Sequence, residues 1–163
     1  DGQGDCHTAF AFVGHRAVVD VDIELGLVRV VEMSTVQDVG RALNPLSVTG
    51  QIEGGIAQGL GLALMEEIIQ RDGRIMNPSF TDYLIPTIAD MPPVVAELIE
   101  IPDPQAPMGA KGVGEPPTIS STPAVIAAIQ DAINTAYGSA PHLRRVPLQP
   151  SDVAKTANPR LGD

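Results

Sequence analysis

The residues best suited to chemistry lie in one short run, Ala110-Lys111-Gly112-Val113-Gly114-Glu115-Pro116-Pro117. A single carboxylate, Glu115, follows two glycines and precedes two prolines. Glycine lets a main chain approach a ligand closely or adopt φ > 0, while paired prolines fix the exit of the loop and remove two N–H donors. A carboxylate on so stiff a shelf is suited to general-base work. Taken alone, a loop glutamate serves equally as a cap or an ion-pair partner.

A second candidate group is the glutamine pair Gln51 and Gln58, seven residues apart with Gly55 between them. On a helix they share one glycine-lined face, and a buried amide pair there suits hydrogen bonding to a polar ligand. Other residues carry less. His7, His15 and His142 have no metal-ligand spacing. Cys6 and His7 are adjacent, so in extended chain they point to opposite faces and do not make a nucleophile with its base. Ser120, Ser121 and Thr122 read first as capping and turn residues. Asp20, Asp22 and Glu24 share one strand face, which reads as solvated rather than cation-binding.

The elements that must position these residues are an α+β mixture with two main helices. Residues 18–24 alternate apolar and acidic side chains, Leu25-Gly26 turns the chain, and 27–33 form a second apolar run, predicting an antiparallel strand pair. Asn44-Pro45 starts a helix that is expected to reach position 68 or 69. Its glycines at 50, 54, 55, 59 and 61 each cost about 1 kcal/mol relative to Ala, so either close packing or a close ligand must require them. Asp72-Gly73 marks a short hairpin. Residues 79–86 and 94–101 read as strands around the rigid Asp90-Met91-Pro92-Pro93 turn. Thr122-Pro123 predicts a second helix start, with Val125, Ile126, Ile129, Ile133 and Ala136 on one face and Gly138 as its stop.

The composition bounds the function. With 163 residues and 44% apolar content but 3% aromatic, the chain supports one largely aliphatic core. Twenty acids against ten bases, a net charge of −10, oppose nucleic-acid binding. One cysteine supplies neither an internal disulfide nor the four thiolates of an iron–sulfur cluster. No apolar run approaches the roughly 20 residues of a spanning helix. A soluble, cytoplasmic setting is expected. The opening Asp1-Gly2-Gln3-Gly4-Asp5 reads as part of something larger.

Taken together and in order, the motifs resemble the molybdenum-binding (molybdopterin) subunit of the xanthine dehydrogenase and aldehyde oxidase family of molybdenum hydroxylases. The matching run comprises Val36-Gln37-Asp38-Val39-Gly40, Leu43-Asn44-Pro45, Gly50-Gln51-Ile52-Glu53-Gly54-Gly55, Gln58-Gly59-Leu60-Gly61, Glu66-Glu67, Tyr83-Leu84-Ile85-Pro86 and the Lys111 to Pro117 loop. The resemblance implies that residues 1–163 are a C-terminal segment of a molybdopterin-binding domain, with 10–150 carrying the likeness and 151–163 a polar tail.

By the same resemblance Glu115 is the base that takes a proton from the water-derived oxygen attacking an electron-poor carbon, in an N-heterocycle or an aldehyde. Gln51 is a cofactor anchor, with Gln58 a weaker match, and Lys111, Gly112, Val113 and Gly114 form the loop beside the metal. No residue of the chain ligates the metal itself. The implied cofactor is molybdenum-molybdopterin, in its cytosine dinucleotide form in bacterial relatives. 2Fe-2S and FAD groups are expected on partner subunits or domains, together with the remainder of the molybdenum subunit. Two alternatives stay open: a noncatalytic assembly module that retains no molybdenum, and a related oxidoreductase acting on a small inorganic or aldehyde substrate.

Overall fold

The computed structural model describes residues 9–158. Strand β1 (Val13–Asp22) and strand β2 (Leu27–Asp38) pair antiparallel, with Val13 opposite Gln37 and Asp22 opposite Leu27. Between them Gly26 takes φ 72°, and the Asp22 carboxylate accepts the N–H groups of Glu24 and Leu25. The pair is the one expected, but both strands run longer than their alternating cores. The segment 79–86 is not a strand; it is a set of turns in which the Ser79 carbonyl accepts from Asp82 and Tyr83. The Asp72-Gly73 hairpin forms as predicted between β3 (Gln70–Arg71) and β4 (Arg74–Ile75), both turn residues at positive φ. Strand β5 (Val94–Ile99) then joins β2 in parallel, giving the sheet order β1-β2-β5.

Two long helices and a short one pack against the sheet and one another. Helix α1 (Pro45–Leu64) begins as predicted, with the Asn44 side chain accepting from Ser47 N–H at 3.1 Å and Pro45 in the first turn. It ends earlier than expected. The N–H groups of Met65 and Glu66 both return to the Gly61 carbonyl, and the Tyr83 hydroxyl donates to the Glu66 carboxylate at 2.7 Å, turning the chain away. Helix α2 (Pro116–Tyr137) starts six residues before Thr122, since prolines at the first two helical positions forfeit only N–H groups that have no intrahelical partner. Pro123 therefore lies inside it, while Gly138 stops it at φ 82° as predicted. Helix α3 (Pro150–Ala157) occupies the segment expected to be a polar tail and buries Val153, Ala154 and Ala157. Met33, Ile52, Ile56, Leu60, Val125, Ile129, Ile133 and Val153 share one core.

Four of the five α1 glycines divide into two groups, and a Cβ on the fifth, Gly61, would lie 2.0 Å from Glu66 Oε1 at the end of the helix. A Cβ on Gly59 would lie 1.8 Å from Ser121 Oγ of α2, and one on Gly55 would lie 2.6 Å from Pro117 Cβ. Thr122 Oγ1 also donates to the Gly59 carbonyl at 2.9 Å. These glycines exist for close helix packing. Gly50 and Gly54 are exposed with open space around them.

The chain after β5 returns to the sheet edge at Gly40. Gly40 (φ 66°) and Ala110 form a bridge, Arg41 N–H donates to the Gly109 carbonyl, and Lys111 N–H donates to the Val39 carbonyl. A Cβ on Gly40 would sit 2.3 Å from the Gly109 oxygen, so the strands meet here only through glycine. The Lys111 ammonium is ion-paired with Asp38, both side chains being less than a tenth exposed. Burial alone pushes the Asp38 pKa up, but hydrogen bonds from Lys111 and from the Gly40 N–H outweigh it and hold the carboxyl below its ordinary value.

Four substitutions test these contacts, each read by unfolding of the intact protein. Gly59→Ala is expected to destabilise by about 1–3 kcal/mol through overpacking. Gly50→Ala on the same helix should instead gain up to about 1 kcal/mol from helix propensity. A folded-state carboxyl pKa below the unfolded one gives stability that is complete above the unfolded value and lost as pH falls through the folded one. Lys111→Met is expected to cost about 3–5 kcal/mol at neutral pH by stranding a buried charge, and Asp38→Asn to flatten the acid side of the stability profile.

Candidate functional site

Glu115 occupies the N-cap position of α2 with φ −83° and ψ −39°, already helical, and makes no side-chain capping bond. The prolines explain why. A capping side chain bonds the second or third helical N–H; Pro117 holds the second position without a donor, and the N–H of Thr118 is taken by Glu115's own carbonyl at 3.0 Å. The carboxylate is thus left free and exposed at the start of a 22-residue helix. Its surroundings in this chain do not bury it, so a dry environment must come from what covers it.

The loop leading to Glu115 is pinned at both ends. Lys111 is fastened to Asp38 and Val39, and Val113 packs on the edge of the core. Between these points the backbone is unspent: among the described residues, the N–H groups of Gly112, Val113, Gly114 and Glu115 have no hydrogen-bond acceptor. Neither Gly112 nor Gly114 has positive φ. Within the chain a Cβ on Gly112 would meet open space and one on Gly114 only Gln51 Oε1 at 3.7 Å, so neither glycine is required by an unusual turn or by packing.

Gln51 is brought to this loop. Its Oε1 lies 3.7 Å from where a Cβ on Gly114 would stand, and its side chain is exposed rather than buried as expected. Gln51, Lys111 and Val113 line an open hollow of about 220 Å³ together with Val39, Arg41 and Asn44. Gln58 is not part of it. That side chain is also exposed, and its Oε1 accepts from Thr118 Oγ1 at 3.1 Å, tying α1 to α2. A larger hollow of about 590 Å³ lies between β2 and the 86–93 segment, lined by residues with no part in this constellation.

Three features escaped sequence reasoning. Asp38 stands inside a quoted motif, but its pairing with Lys111 joins positions 73 residues apart. His15 has Nδ1 2.6 Å from Ser120 Oγ, and burial lowers its pKa. Ser120, Ser121 and Thr122 lie within α2 rather than at its cap. Cys6 and His7 fall outside the described residues. Among the described residues no three His, Cys, Asp or Glu side chains converge on a point, and no helix is long and apolar enough to cross a membrane.

The donor set fits a pterin-type cofactor. Consecutive free N–H groups beside an exposed amide present donors, and one acceptor, to a flat ligand edged with ring nitrogens, carbonyl and phosphate oxygens.

The family model for the molybdopterin cofactor-binding domain matches residues 1–92. The chain is 41% identical over 132 residues to the xanthine dehydrogenase molybdenum-binding subunit of Escherichia coli O157:H7, covering 80% of this chain and 17% of that protein. It is 37% identical to the nicotine 6-hydroxylase large subunit of Paenarthrobacter nicotinovorans, covering 90% of this chain and 18% of that one. Quinoline 2-oxidoreductase from Pseudomonas putida 86 superposes with a TM-score of 0.83 at 38% identity, over 90% of this chain and 18% of its own. Aldehyde oxidoreductase from Desulfovibrio gigas does so at 0.77 and 33%, over 90% and 15%. The chain thus spans less than a fifth of the length of these relatives. By these matches the chain belongs to the molybdopterin cofactor-binding domain family, among the molybdenum-binding subunits of xanthine dehydrogenase and aldehyde oxidoreductase type.

Proposed function

We propose that this chain is the part of a molybdenum hydroxylase that carries the general base and one wall of the cofactor site. When bound, molybdenum-molybdopterin supplies two-electron oxidation, which allows a carbon to be hydroxylated with oxygen from water. Glu115 takes the proton from that oxygen as it attacks. The observation that carries this reading is a carboxylate left without a local hydrogen bond at the end of a pinned loop. Gly112, Val113 and Gly114 offer main-chain N–H donors and Gln51 its amide to the cofactor, while Lys111 holds the loop through Asp38.

The names of the relatives favour an N-heterocycle or an aldehyde as substrate, since they include nicotine, quinoline and aldehyde enzymes. Carbon monoxide dehydrogenase chains at 29% and 32% identity keep a small inorganic substrate as the second reading. The cofactor is read as the cytosine dinucleotide form, with 2Fe-2S and FAD on partner subunits or domains, in a cytoplasmic enzyme.

In the complete enzyme Glu115→Gln is expected to lower turnover by about 10² to 10⁴ at full molybdenum loading. Near wild-type turnover with the metal present would sink the assignment, and a native assembly lacking both molybdenum and pterin would favour a noncatalytic module. Gln51→Leu removes one hydrogen bond to the cofactor, worth about 0.5–1.5 kcal/mol, and is expected to speed pterin loss during gel filtration while leaving the unfolding midpoint of the protein unchanged.

A further inference from the structure

Beneath the start of α2, the sheet carries polar atoms where the core is otherwise apolar. Gln37 is 0% exposed on β2, on the same side of the strand as Met33 and Thr35, and neither polar atom of its amide has a partner among the described residues. On β1, Val13 stands opposite Gln37 and His15 opposite Thr35. Gln37 and His15 are therefore diagonal neighbours on one face, within reach of long side chains. His15 Nε2 is also buried without a partner. Native interiors rarely leave three such atoms unpaired, and an internal water is the usual partner.

The proton arrangement defines what is missing. Ser120 Oγ lies 2.6 Å from His15 Nδ1 and donates to the Pro116 carbonyl at 3.4 Å. A hydroxyl that donates to Pro116 accepts from His15 Nδ1–H, which leaves Nε2 of a neutral imidazole as a bare acceptor. Burial lowers the His15 pKa and so favours the neutral imidazole. Gln37, at the diagonal position, offers an amide acceptor and an amide donor on the same face. One water meets this set, donating to His15 Nε2 and Gln37 Oε1 and accepting from Gln37 Nε2.

We propose that His15, Gln37 and Ser120 form a buried bracket, closed by one internal water between the imidazole and the amide, that positions the first turn of α2 and with it Glu115. The bracket runs from the sheet through Ser120 to Pro116, the residue after Glu115. Its catalytic consequence rests on Glu115 being the base; the water site does not. These three are positioning residues, since none touches the reacting atoms.

The test uses the complete molybdenum enzyme. A high-resolution crystal structure is expected to show an ordered water within hydrogen-bond distance of His15 Nε2 and Gln37; a dry contact there overturns the bracket. Ser120→Ala is expected to lower kcat about ten- to hundredfold, with KM and molybdenum content unchanged, and Ser120→Thr to recover most of the loss. In a Glu115→Gln background, Ser120→Ala should cost little more, because residues acting as one unit are not additive. An unchanged kcat in Ser120→Ala, where Glu115→Gln alone abolishes turnover, overturns the bracket and spares the base. Full turnover in Glu115→Gln overturns the base reading, and the ordered water then stands or falls by the crystal structure alone.

Discussion

The site depends on how closely α1 and α2 approach. Gly55 faces Pro117 and Gly59 faces Ser121 at separations that leave no room for a Cβ, so the first turn of α2 lies against the middle of α1. Because Pro117 is two residues from Glu115, the same contact that packs the helices sets the carboxylate at the end of α2. Because Gln51 lies one turn before Gly55, it also brings the amide to the loop. A larger residue at Gly55 or Gly59 would move Glu115 and Gln51 together. The helix-propensity cost of these glycines is offset by geometry that no side-chain contact could supply.

The loop between Lys111 and Glu115 combines a rigid path with an unspent backbone. Paired secondary structure would make it rigid but would consume its N–H groups. Here rigidity comes from outside the loop: the buried Asp38–Lys111 pair and the Gly40–Ala110 bridge at one end, Val113 against the core, and the prolines of α2 at the other. The donors of residues 112–115 remain available for a ligand. The prolines act twice, since they also deny Glu115 the local bond that would have made it a helix cap.

Much of this was legible in the sequence, and the misses have physical causes. The hairpin of β1 and β2, the Asn44 cap, the Asp72-Gly73 turn and the Gly138 stop are set by neighbouring residues, and all appear. The end of α1 was misread because the Tyr83–Glu66 contact that turns the chain joins residues 17 apart. The start of α2 was misread because Thr122-Pro123 imitates a cap, while Pro116-Pro117 opens the helix and buried Val125, Ile129 and Ile133 carry it past the internal proline. Glu115 stands out in the sequence through its unusual neighbours, and the structure leaves its carboxylate exposed and without a capping bond. Asp38 was missed as a partner of Lys111 because ion pairing across 73 residues leaves no local pattern.

What the chain leaves exposed bears directly on the carboxylate it presents. Ile119, whose N–H bonds the Glu115 carbonyl at 3.1 Å, is 69% exposed, and Leu43 beside the Gln51 hollow is 54% exposed. Phe80 at 85% and Ile88 at 91% extend apolar surface elsewhere. Single exposed aliphatics are ordinary, but an apolar side chain one turn from a free carboxylate has a specific consequence. A surface that packs on Ile119, one turn from Glu115, draws water away from the carboxylate, and in a drier site each hydrogen bond and charge acts more strongly. The carboxylate's position is set within this chain by two glycines and two prolines. How dry that carboxylate becomes is set by whatever closes over Ile119.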